Sequence, residues 1–237
     1  MSEPKLGFTL DLEGTLVDLE LLHFAAFEAA IATLGVRLTI AQITALPGAI
    51  GGGDDRVALL MVEHCRKNDL GEFNKDQILS LKRSHFHEIQ EEHAMTPRPG
   101  AAEVLEKIRA FGYPIALGSL TPRLQGEEIL RRSGLDKFFG GQNRVFREDV
   151  ANGKPHPEVY RRTAELLGVS VQLQVVFEDS LTGICAARAA GSVPIGMPVP
   201  MFHEEWRIQA LTNDGGARRV FKSWHEVDVD ALAKSIL

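Results

Sequence analysis

Polar side chains that can bind a metal ion or an anion follow three short apolar runs in this sequence. They are Asp11 after residues 6–10, Ser119 after residues 114–118, and the pair Glu178 and Asp179 after residues 173–177. Carboxylate oxygens are the ligands that hard divalent cations prefer, and a hydroxyl can donate to an anion. Each residue taken singly also has an ordinary alternative, such as capping a turn or a helix, or lying in solvent.

The apolar runs themselves indicate how these residues are positioned. Each run is short and ends in a turn, which is typical of a buried strand. Between the runs, apolar residues recur at helical spacing in Ala101–Phe111, Pro157–Leu167 and Thr182–Ala190. Strands that alternate with helices predict a mainly parallel sheet covered by helices on both faces. Ligands of such sheets bind beyond the carboxyl ends of the strands, where the polar residues fall.

The segment from about residue 20 to 95 differs, because it contains no convincing strand. Its apolar residues predict helices at Leu21–Leu34, Asp55–Arg66 and Lys75–Glu92. We therefore expect an α/β core formed by residues 1–19 and 96–237, and an all-helical domain of residues 20–95 inserted into it.

The composition restricts the possible partners. Of 237 residues, 44% are hydrophobic and 24% charged, as in ordinary globular proteins. No apolar run reaches the roughly 18 residues of a membrane-spanning helix, and a net charge of −6 argues against broad nucleic-acid binding. The two distant cysteines exclude a disulfide framework, and the N-terminus does not resemble a secretory signal. We expect a cytoplasmic monomer or small homo-oligomer without membrane or nucleic-acid partners.

Four motifs together resemble the haloacid dehalogenase-like hydrolase superfamily over nearly the whole chain. They are DLEGTLVD at Asp11–Asp18, the strand that ends in Ser119, GKPHPEVY at Gly153–Tyr160, and VVFEDSLTGICAARAAG at Val175–Gly191. The resemblance is greatest to the branch with phosphoglycolate phosphatase-like and β-phosphoglucomutase-like proteins. It implies a Rossmann-like α/β core with an inserted, all-helical cap domain after the first strand.

The resemblance also implies roles for individual residues. Asp11 matches the nucleophile that forms an aspartyl-phosphate, and Lys154 matches the lysine that neutralises the nucleophile and the transferring phosphoryl group. The hydroxyl of Ser119, helped by backbone N–H groups near Leu120, matches the phosphate-binding element.

A magnesium site is implied by the same resemblance. Its carboxylate ligands are Asp11, Glu178 and Asp179, and the backbone carbonyl of Glu13 completes the set from the protein. Mg²⁺ is a hard cation that prefers such oxygen ligands and keeps several waters.

Glu13 departs from the family pattern, which usually has Asp as the general acid and base two residues after the nucleophile. A glutamate has suitable chemistry, but its extra methylene moves the oxygens by roughly 1 Å, an error that can cost about a hundredfold in rate. Three outcomes stay open: a compensating backbone, slow turnover with a longer-lived phosphoenzyme, or phosphate binding without useful turnover. We favour retained but weakened catalysis.

Three residues of the predicted helical domain are candidates for contacts with the substrate. His23 matches a histidine that related mutases and phosphatases often carry, while Arg56 and Lys82 could supply positive charge. The alternative for each is a solvated helix face, which we favour for at least two of the basic residues Arg56, Lys82 and Arg83.

We therefore expect a Mg²⁺-dependent phosphatase that hydrolyses a small phosphorylated metabolite through Asp11. The alternatives are a sugar-phosphate mutase, or a weakly active phosphate-binding regulatory protein in which Glu13 limits turnover. Residues 201–237 suggest no function, although Arg218–Trp224 predicts an edge strand.

Overall fold

A six-stranded, fully parallel sheet forms the centre of the larger part of the chain in the computed structural model, which describes residues 6–50, 53–199 and 204–237. The strands are β1 (Gly7–Leu10), β2 (Ile115–Gly118), β3 (Arg144–Val145), β4 (Gln174–Glu178), β5 (Val193–Gly196) and β6 (Arg219–Val220). They lie in the order β3-β2-β1-β4-β5-β6. The predicted α/β class, strands β1, β2 and β4, and the edge strand at β6 are thereby confirmed.

Strand β1 lies in the middle of the sheet and aligns the strand ends. Leu10 is paired with Leu117 of β2 on one side and with Phe177 of β4 on the other. The residues that follow these three positions therefore lie side by side at one edge of the sheet. This register brings the chain at Asp11, at Gly118 and at Glu178 to the same level.

Successive residues of a strand point to opposite faces of the sheet, and both faces are covered by other elements of the chain. Val176 packs in a buried cluster that includes Val159 and Ala186 on one face. The next residue, Phe177, contacts the indole of Trp224 at a ring-centroid distance of 4.9 Å. The α-helices of this part follow four others along the chain and are therefore numbered from α5. They are α5 (Ala101–Ala110), α6 (Arg123–Ser133), α7 (Glu158–Leu167), α8 (Leu181–Ala190), α9 (Glu204–Gln209) and α10 (Val229–Lys234).

Those four earlier helices form a compact unit of their own. They are α1 (Glu20–Thr33), α2 (Ile40–Thr44), α3 (Gly53–Lys67) and α4 (Lys75–Glu92). The sequence predicted α1, α3 and α4 to within two residues, but not α2, which begins with a capping box between Thr39 and Gln42.

The chain as a whole divides into two compact units, which we call the core unit (Met1–Asp18 with Met95–Leu237) and the helical unit (Leu19–Ala94). None of the helices in the described part of the chain combines the length and the apolar character needed to cross a lipid bilayer. The N-terminal residues 1–5, on which the absence of a secretory signal was partly judged, lie outside the described residues.

A buried hydrogen-bond network centred on Gln174 of β4 connects three neighbouring segments of the core. The side-chain amide of Gln174, which is fully buried, donates to the hydroxyls of Thr9 and Thr163 at 2.7 Å each. Its carbonyl oxygen accepts a hydrogen bond from Ser192 at 2.7 Å. One glutamine thus satisfies three buried hydroxyls from β1, α7 and the start of β5, which favours a single arrangement of these elements.

We predict that Gln174→Ala destabilises the core unit by about 2–4 kcal/mol, because it opens a cavity and leaves buried hydroxyls without partners. Urea denaturation followed by tryptophan fluorescence measures this loss, since both tryptophans, Trp206 and Trp224, belong to the core unit. The matched control is Gln172→Ala at an exposed position, which should stay within about 0.5 kcal/mol of the parent. Equal effects of the two substitutions would contradict the structural importance of the network.

Candidate active site

The carboxyl ends of β1, β2 and β4 bring together the polar residues predicted to carry the chemistry. Asp11 follows β1, and its backbone N–H donates to the carbonyl of Phe177 at 3.1 Å. Ser119 follows β2, and its N–H donates to the carbonyl of Val145 at 3.0 Å. Glu178 is the last residue of β4. Asp11, Ser119 and Glu178 are all buried.

Lys154 lies between two of these carboxylates. Its ammonium nitrogen is 2.5 Å from Asp11 Oδ1 and 2.5 Å from Glu178 Oε1, and only 6% of its side chain is exposed. The ammonium also lies 5.1 Å from the centre of the Tyr160 ring. Burial favours loss of the proton from Lys154, but the two carboxylates outweigh it and raise the pKa of this lysine, so it stays charged.

Glu178 accepts several hydrogen bonds in this site. Besides Lys154, it accepts hydrogen bonds from the Tyr160 hydroxyl at 2.8 Å and from the backbone N–H and the hydroxyl of Ser180 at 2.9 Å each. Burial opposes its ionisation, but Lys154 and these donors together lower its pKa. Glu178 is therefore a carboxylate with fixed orientation.

Asp11 has the opposite electrostatic balance. Burial raises its pKa to about 7, and the negative charges of Glu178 and Glu13 add to this shift, although Lys154 opposes it. A single lysine thus compensates only part of the acidic charge. An additional cation at this place would favour the ionised form of Asp11, which is the form that can act as a nucleophile.

Three carboxylates are placed where they could hold such a cation. Oxygens of Asp11, Glu178 and Asp179 lie within 4.8 Å of one another. Two glycines leave room for them, since a Cβ atom at Gly14 would overlap the carboxylate of Asp179, and one at Gly183 would overlap that of Glu178. Asp179 also accepts a hydrogen bond from the Thr15 hydroxyl at 3.1 Å. Oxygen donors in this cradle fit a hard divalent cation.

The loop after β2 presents hydroxyl and amide groups. The N–H of Thr121 donates to Ser119 Oγ at 3.2 Å, and the two hydroxyls of these residues are 3.0 Å apart. The partly buried side chain of Leu120 packs against the cluster that contains Val159 and Val176. The loop is therefore held in one conformation at the sheet edge.

The side chain of Glu13 contacts this loop and the helix that follows it. Its Oε1 accepts a hydrogen bond from Thr121 Oγ1 at 2.6 Å and a longer one from Gln125 Nε2 at 3.3 Å. The backbone of Glu13 is paired with Val17 in a parallel bridge. Both ends of this longer acid are thus restrained.

A buried arginine holds the turn that follows Glu13. The guanidinium of Arg98 donates to the carbonyl oxygens of Gly14 at 2.6 Å, Met197 at 2.7 Å and Pro198 at 2.8 Å. Trp224 Nε1 donates to the next carbonyl, that of Thr15, at 3.0 Å. These contacts tie the loop after β1 to the chain after β5.

The helical unit has a charged cluster of its own. Lys82 is 2% exposed, and its ammonium group is 2.7 Å from both His23 Nδ1 and Asp54 Oδ2. The His23 ring stacks on Phe86 at 4.2 Å. Arg56 is exposed, and its guanidinium lies over Gly48. The structure thus joins two of the three predicted substrate residues, and Lys82 lies on a buried rather than a solvated face.

Sequence reasoning did not assign a side-chain role to four residues that shape this site: Tyr160, Thr121, Gln125 and Arg98. A signal existed for Tyr160, because a tyrosine on a buried helix face needs a hydrogen-bond partner for its hydroxyl. Thr121 is separated from Ser119 by one residue, so its hydroxyl was also within reach of the predicted phosphate-binding loop. Gln125 and Arg98 gave no comparable signal, because their partners are distant in the sequence.

Comparison with known proteins agrees with this geometry. The family model of the haloacid dehalogenase-like hydrolases matches residues 6–191. A phosphorylated carbohydrates phosphatase from Thermotoga maritima is 35% identical over 182 residues, which are 76% of this chain and 79% of that protein. A β-phosphoglucomutase from Mycobacterium bovis is 34% identical over 121 residues, which are 49% of this chain but only 45% of the mutase.

A solved structure agrees with these sequence matches. A hydrolase of the family from Deinococcus radiodurans, crystallised with phosphate and sodium, is 28% identical and superposes with a TM-score of 0.77 over 99% of this chain and 98% of that one. The relatives together support an enzyme of the phosphatase or phosphoglucomutase kind.

We predict that the metal-free protein loses stability through Asp11 as the pH rises. In the unfolded chain Asp11 releases its proton near 3.8, whereas the folded protein keeps it to about pH 7. Stability from this group is therefore highest below about pH 4, falls between these values, and is constant above them. Asp11→Asn cannot ionise, so its stability relative to the parent should increase by up to about 4 kcal/mol over this range.

Urea denaturation in EDTA from about pH 4 to 8 tests this pH dependence. The matched control is Asp230→Asn in the exposed pair with Lys234, which should differ from the parent by an amount that stays small at every pH. A constant difference between Asp11→Asn and the parent would mean that the pKa of Asp11 is not raised in the folded protein.

We further predict that the acidic cluster binds Mg²⁺ and that Tyr160→Phe weakens this binding by about tenfold, because it removes the hydroxyl that orients the Glu178 carboxylate. Isothermal titration calorimetry of the metal-free protein with MgCl₂ measures the change. Tyr113→Phe alters the other tyrosine of the chain and should leave the affinity unchanged. Unaltered affinity in Tyr160→Phe would exclude this orienting role.

Proposed function

We propose that this protein, which belongs to the haloacid dehalogenase-like hydrolase family, is a Mg²⁺-dependent phosphatase that acts on a small phosphorylated carbohydrate. The observation that carries the proposal is the Lys154 ammonium group, which bridges Asp11 and Glu178 at the ends of β1 and β4. A nucleophilic carboxylate beside a fixed cation is the arrangement that phosphoryl transfer needs. The substrate class is taken from the carbohydrate phosphatase that is 35% identical.

In the first step, a carboxylate oxygen of Asp11 attacks the phosphorus atom and forms an aspartyl-phosphate. The bond between phosphorus and the leaving oxygen breaks, and its electron pair stays on that oxygen. Glu13, acting as general acid, supplies the proton that turns the leaving oxygen into a hydroxyl. Lys154 lowers the repulsion between the Asp11 carboxylate and the phosphoryl oxygens.

In the second step, water attacks the phosphorus of the aspartyl-phosphate and gives a proton to the Glu13 carboxylate. The bond from phosphorus to the Asp11 oxygen breaks, and its electron pair returns to the carboxylate. The sum is one phosphomonoester and one water consumed, one alcohol and one inorganic phosphate released. Asp11 and Glu13 end in their starting states.

Ser119 and the backbone near Leu120 are proposed to bind the phosphoryl oxygens. The support is the position of Ser119 at the end of β2, level with Asp11 on the neighbouring strand. Hydroxyl and backbone N–H donors cost little reorganisation when they are already held in place.

Asp11, Glu178 and Asp179 are proposed to hold Mg²⁺, together with the backbone carbonyl of Glu13. The bound ion would supply positive charge that offsets the acidic excess of the site and the charge of the phosphoryl group. The glycine cradles at Gly14 and Gly183 support the assignment of the carboxylates.

In the helical unit, His23, Lys82 and Arg56 are proposed to contact the substrate. A buried lysine is rare unless it is paired, and the cluster of Lys82 with His23 and Asp54 satisfies this charge. Since Asp54 compensates Lys82, the pair suits the hydroxyls of a sugar, whereas the exposed guanidinium of Arg56 suits an anionic group.

A sugar-phosphate mutase is the second candidate, favoured by the mutase that is 34% identical over about half of this chain. Its first step would be the same, but the aspartyl-phosphate would pass its phosphoryl group to a sugar hydroxyl instead of water. The two functions therefore differ in the acceptor and in the product.

We predict that phosphate release from a panel of sugar monophosphates, phosphoglycolate and nucleotides requires both Mg²⁺ and Asp11. Asp11→Asn should lower kcat at least about a thousandfold, because it removes the nucleophile. Rapid-quench mass spectrometry should show a phosphoryl adduct on Asp11 in the parent. The control Asp230→Asn changes an exposed aspartate in α10 and should keep full activity.

The products separate the candidates. Isomerised sugar phosphate, formed with a bisphosphate primer and in excess of free phosphate, would establish the mutase. Release of phosphate that survives Asp11→Asn, or that proceeds equally in EDTA, would overturn the proposed phosphatase mechanism.

A further inference from the structure

We propose that Thr121 and Gln125 are positioning residues that hold the Glu13 carboxylate for proton transfer to the leaving group. The inference rests on the proposed function, in which Glu13 is the general acid. It gives a role to two side chains that are neither the nucleophile Asp11, nor Lys154, nor members of the acidic cluster.

A glutamate in this position needs such restraint. It has one more rotatable side-chain bond than an aspartate, so its carboxylate can occupy more positions, and fixing it costs more conformational entropy. A general acid must lie within hydrogen-bonding distance of the oxygen that it protonates, and an error of about 1 Å can cost about a hundredfold in rate.

Two donors meet at one oxygen of this carboxylate. Thr121 Oγ1 lies 2.6 Å from Glu13 Oε1, and Gln125 Nε2 lies 3.3 Å from the same atom. Hydrogen bonds to a carboxylate are stronger than those between neutral groups. Both donors use Oε1, so they hold the same oxygen of the carboxylate.

The backbone at the other end of Glu13 is equally fixed. The N–H of Gly14 donates to the carbonyl of Val17 at 2.8 Å, and the carbonyl of Gly14 accepts the guanidinium of Arg98 at 2.6 Å. Glu13 is therefore held at its main chain and at its carboxylate. The contacts with Thr121 and Gln125 fix the side-chain torsions that lie between these two ends.

The donors are themselves held by the start of α6. The backbone N–H of Arg123 donates to both carboxylate oxygens of Glu148, at 3.0 and 3.1 Å, and its guanidinium pairs with Asp149 at 2.5 Å. Gly126 lets the helix approach closely, because a Cβ atom there would overlap the ring of Phe146. Gln125 thus projects from a helix with little freedom to shift.

The hydroxyl of Thr121 connects Glu13 to the proposed phosphate-binding serine. Its oxygen lies 2.6 Å from Glu13 Oε1 and 3.0 Å from Ser119 Oγ. Thr121 therefore lies between the proposed general acid and the proposed phosphate-binding hydroxyl.

A test should isolate the protonation of the leaving group. Glucose 6-phosphate leaves as an alkoxide that needs a proton, whereas 4-nitrophenyl phosphate leaves as a stable phenolate that does not. Single-turnover rates of leaving-group release in Mg²⁺ report the first step alone. We expect Thr121→Val and Gln125→Met to slow release from glucose 6-phosphate by about 10–100-fold, but release of 4-nitrophenolate by less than about threefold.

Further variants sharpen the interpretation. Thr121→Ser keeps the hydroxyl and should restore the parental rate. Thr212→Val and Gln172→Met change matched residue types at exposed positions and should leave both rates unchanged. In a Glu13→Asp background we expect the shorter carboxylate not to reach the two donors, so Thr121→Val should cause less than about a threefold further loss.

The outcomes distinguish this inference from the proposed function. If the parent releases 4-nitrophenolate in a reaction that needs Asp11, the phosphatase proposal stands, and equal losses on both substrates, or no loss on either, would overturn the positioning role alone. If the parent releases nothing from either substrate, both proposals fall.

Discussion

The buried ammonium group of Lys154, placed between Asp11 and Glu178, is the interaction on which the rest of the site depends. Burying charges is costly unless they are paired and hydrogen-bonded. Here Glu178 is satisfied by Lys154, Tyr160 and Ser180. Burial raises the pKa of Asp11, and Lys154 does not offset this burial together with the nearby acids. The remaining negative charge of this arrangement favours a cation.

The parallel sheet explains why some of this could be read from the sequence. Strands buried on both faces appear as short apolar runs, and the change to polar residues marks the carboxyl end where ligands bind. That signal located Asp11, Ser119 and Glu178. Strand β5 gave no such signal, because Pro194 is unusual in a strand with neighbours on both sides, and β3 has only two residues.

Side-chain partners were much harder to predict, because they depend on residues far away in the sequence. A lysine on an amphipathic helix normally indicates a solvated face, yet Lys82 is buried since His23 from α1 and Asp54 from α3 converge on it. From the sequence alone, Glu13 is a departure from the aspartate that the family usually has at this position. Its contacts with Thr121 and Gln125 show a longer side chain that is accommodated by the loop and helix opposite.

The central position of β1 also affects how the protein is made. This strand leaves the ribosome before the other five strands of the sheet, and its neighbour β4 follows much later. Asp11 and Lys154 are 143 positions apart, and Thr15 and Asp179 are 164. Until β4 has been synthesised, one edge of β1 has no partner, and an unpaired strand edge is prone to aggregate. The acidic cluster is therefore completed at the same stage of synthesis at which the free edge of β1 is paired. A chain interrupted before β4 would expose an aggregation-prone strand edge and would lack the acidic cluster.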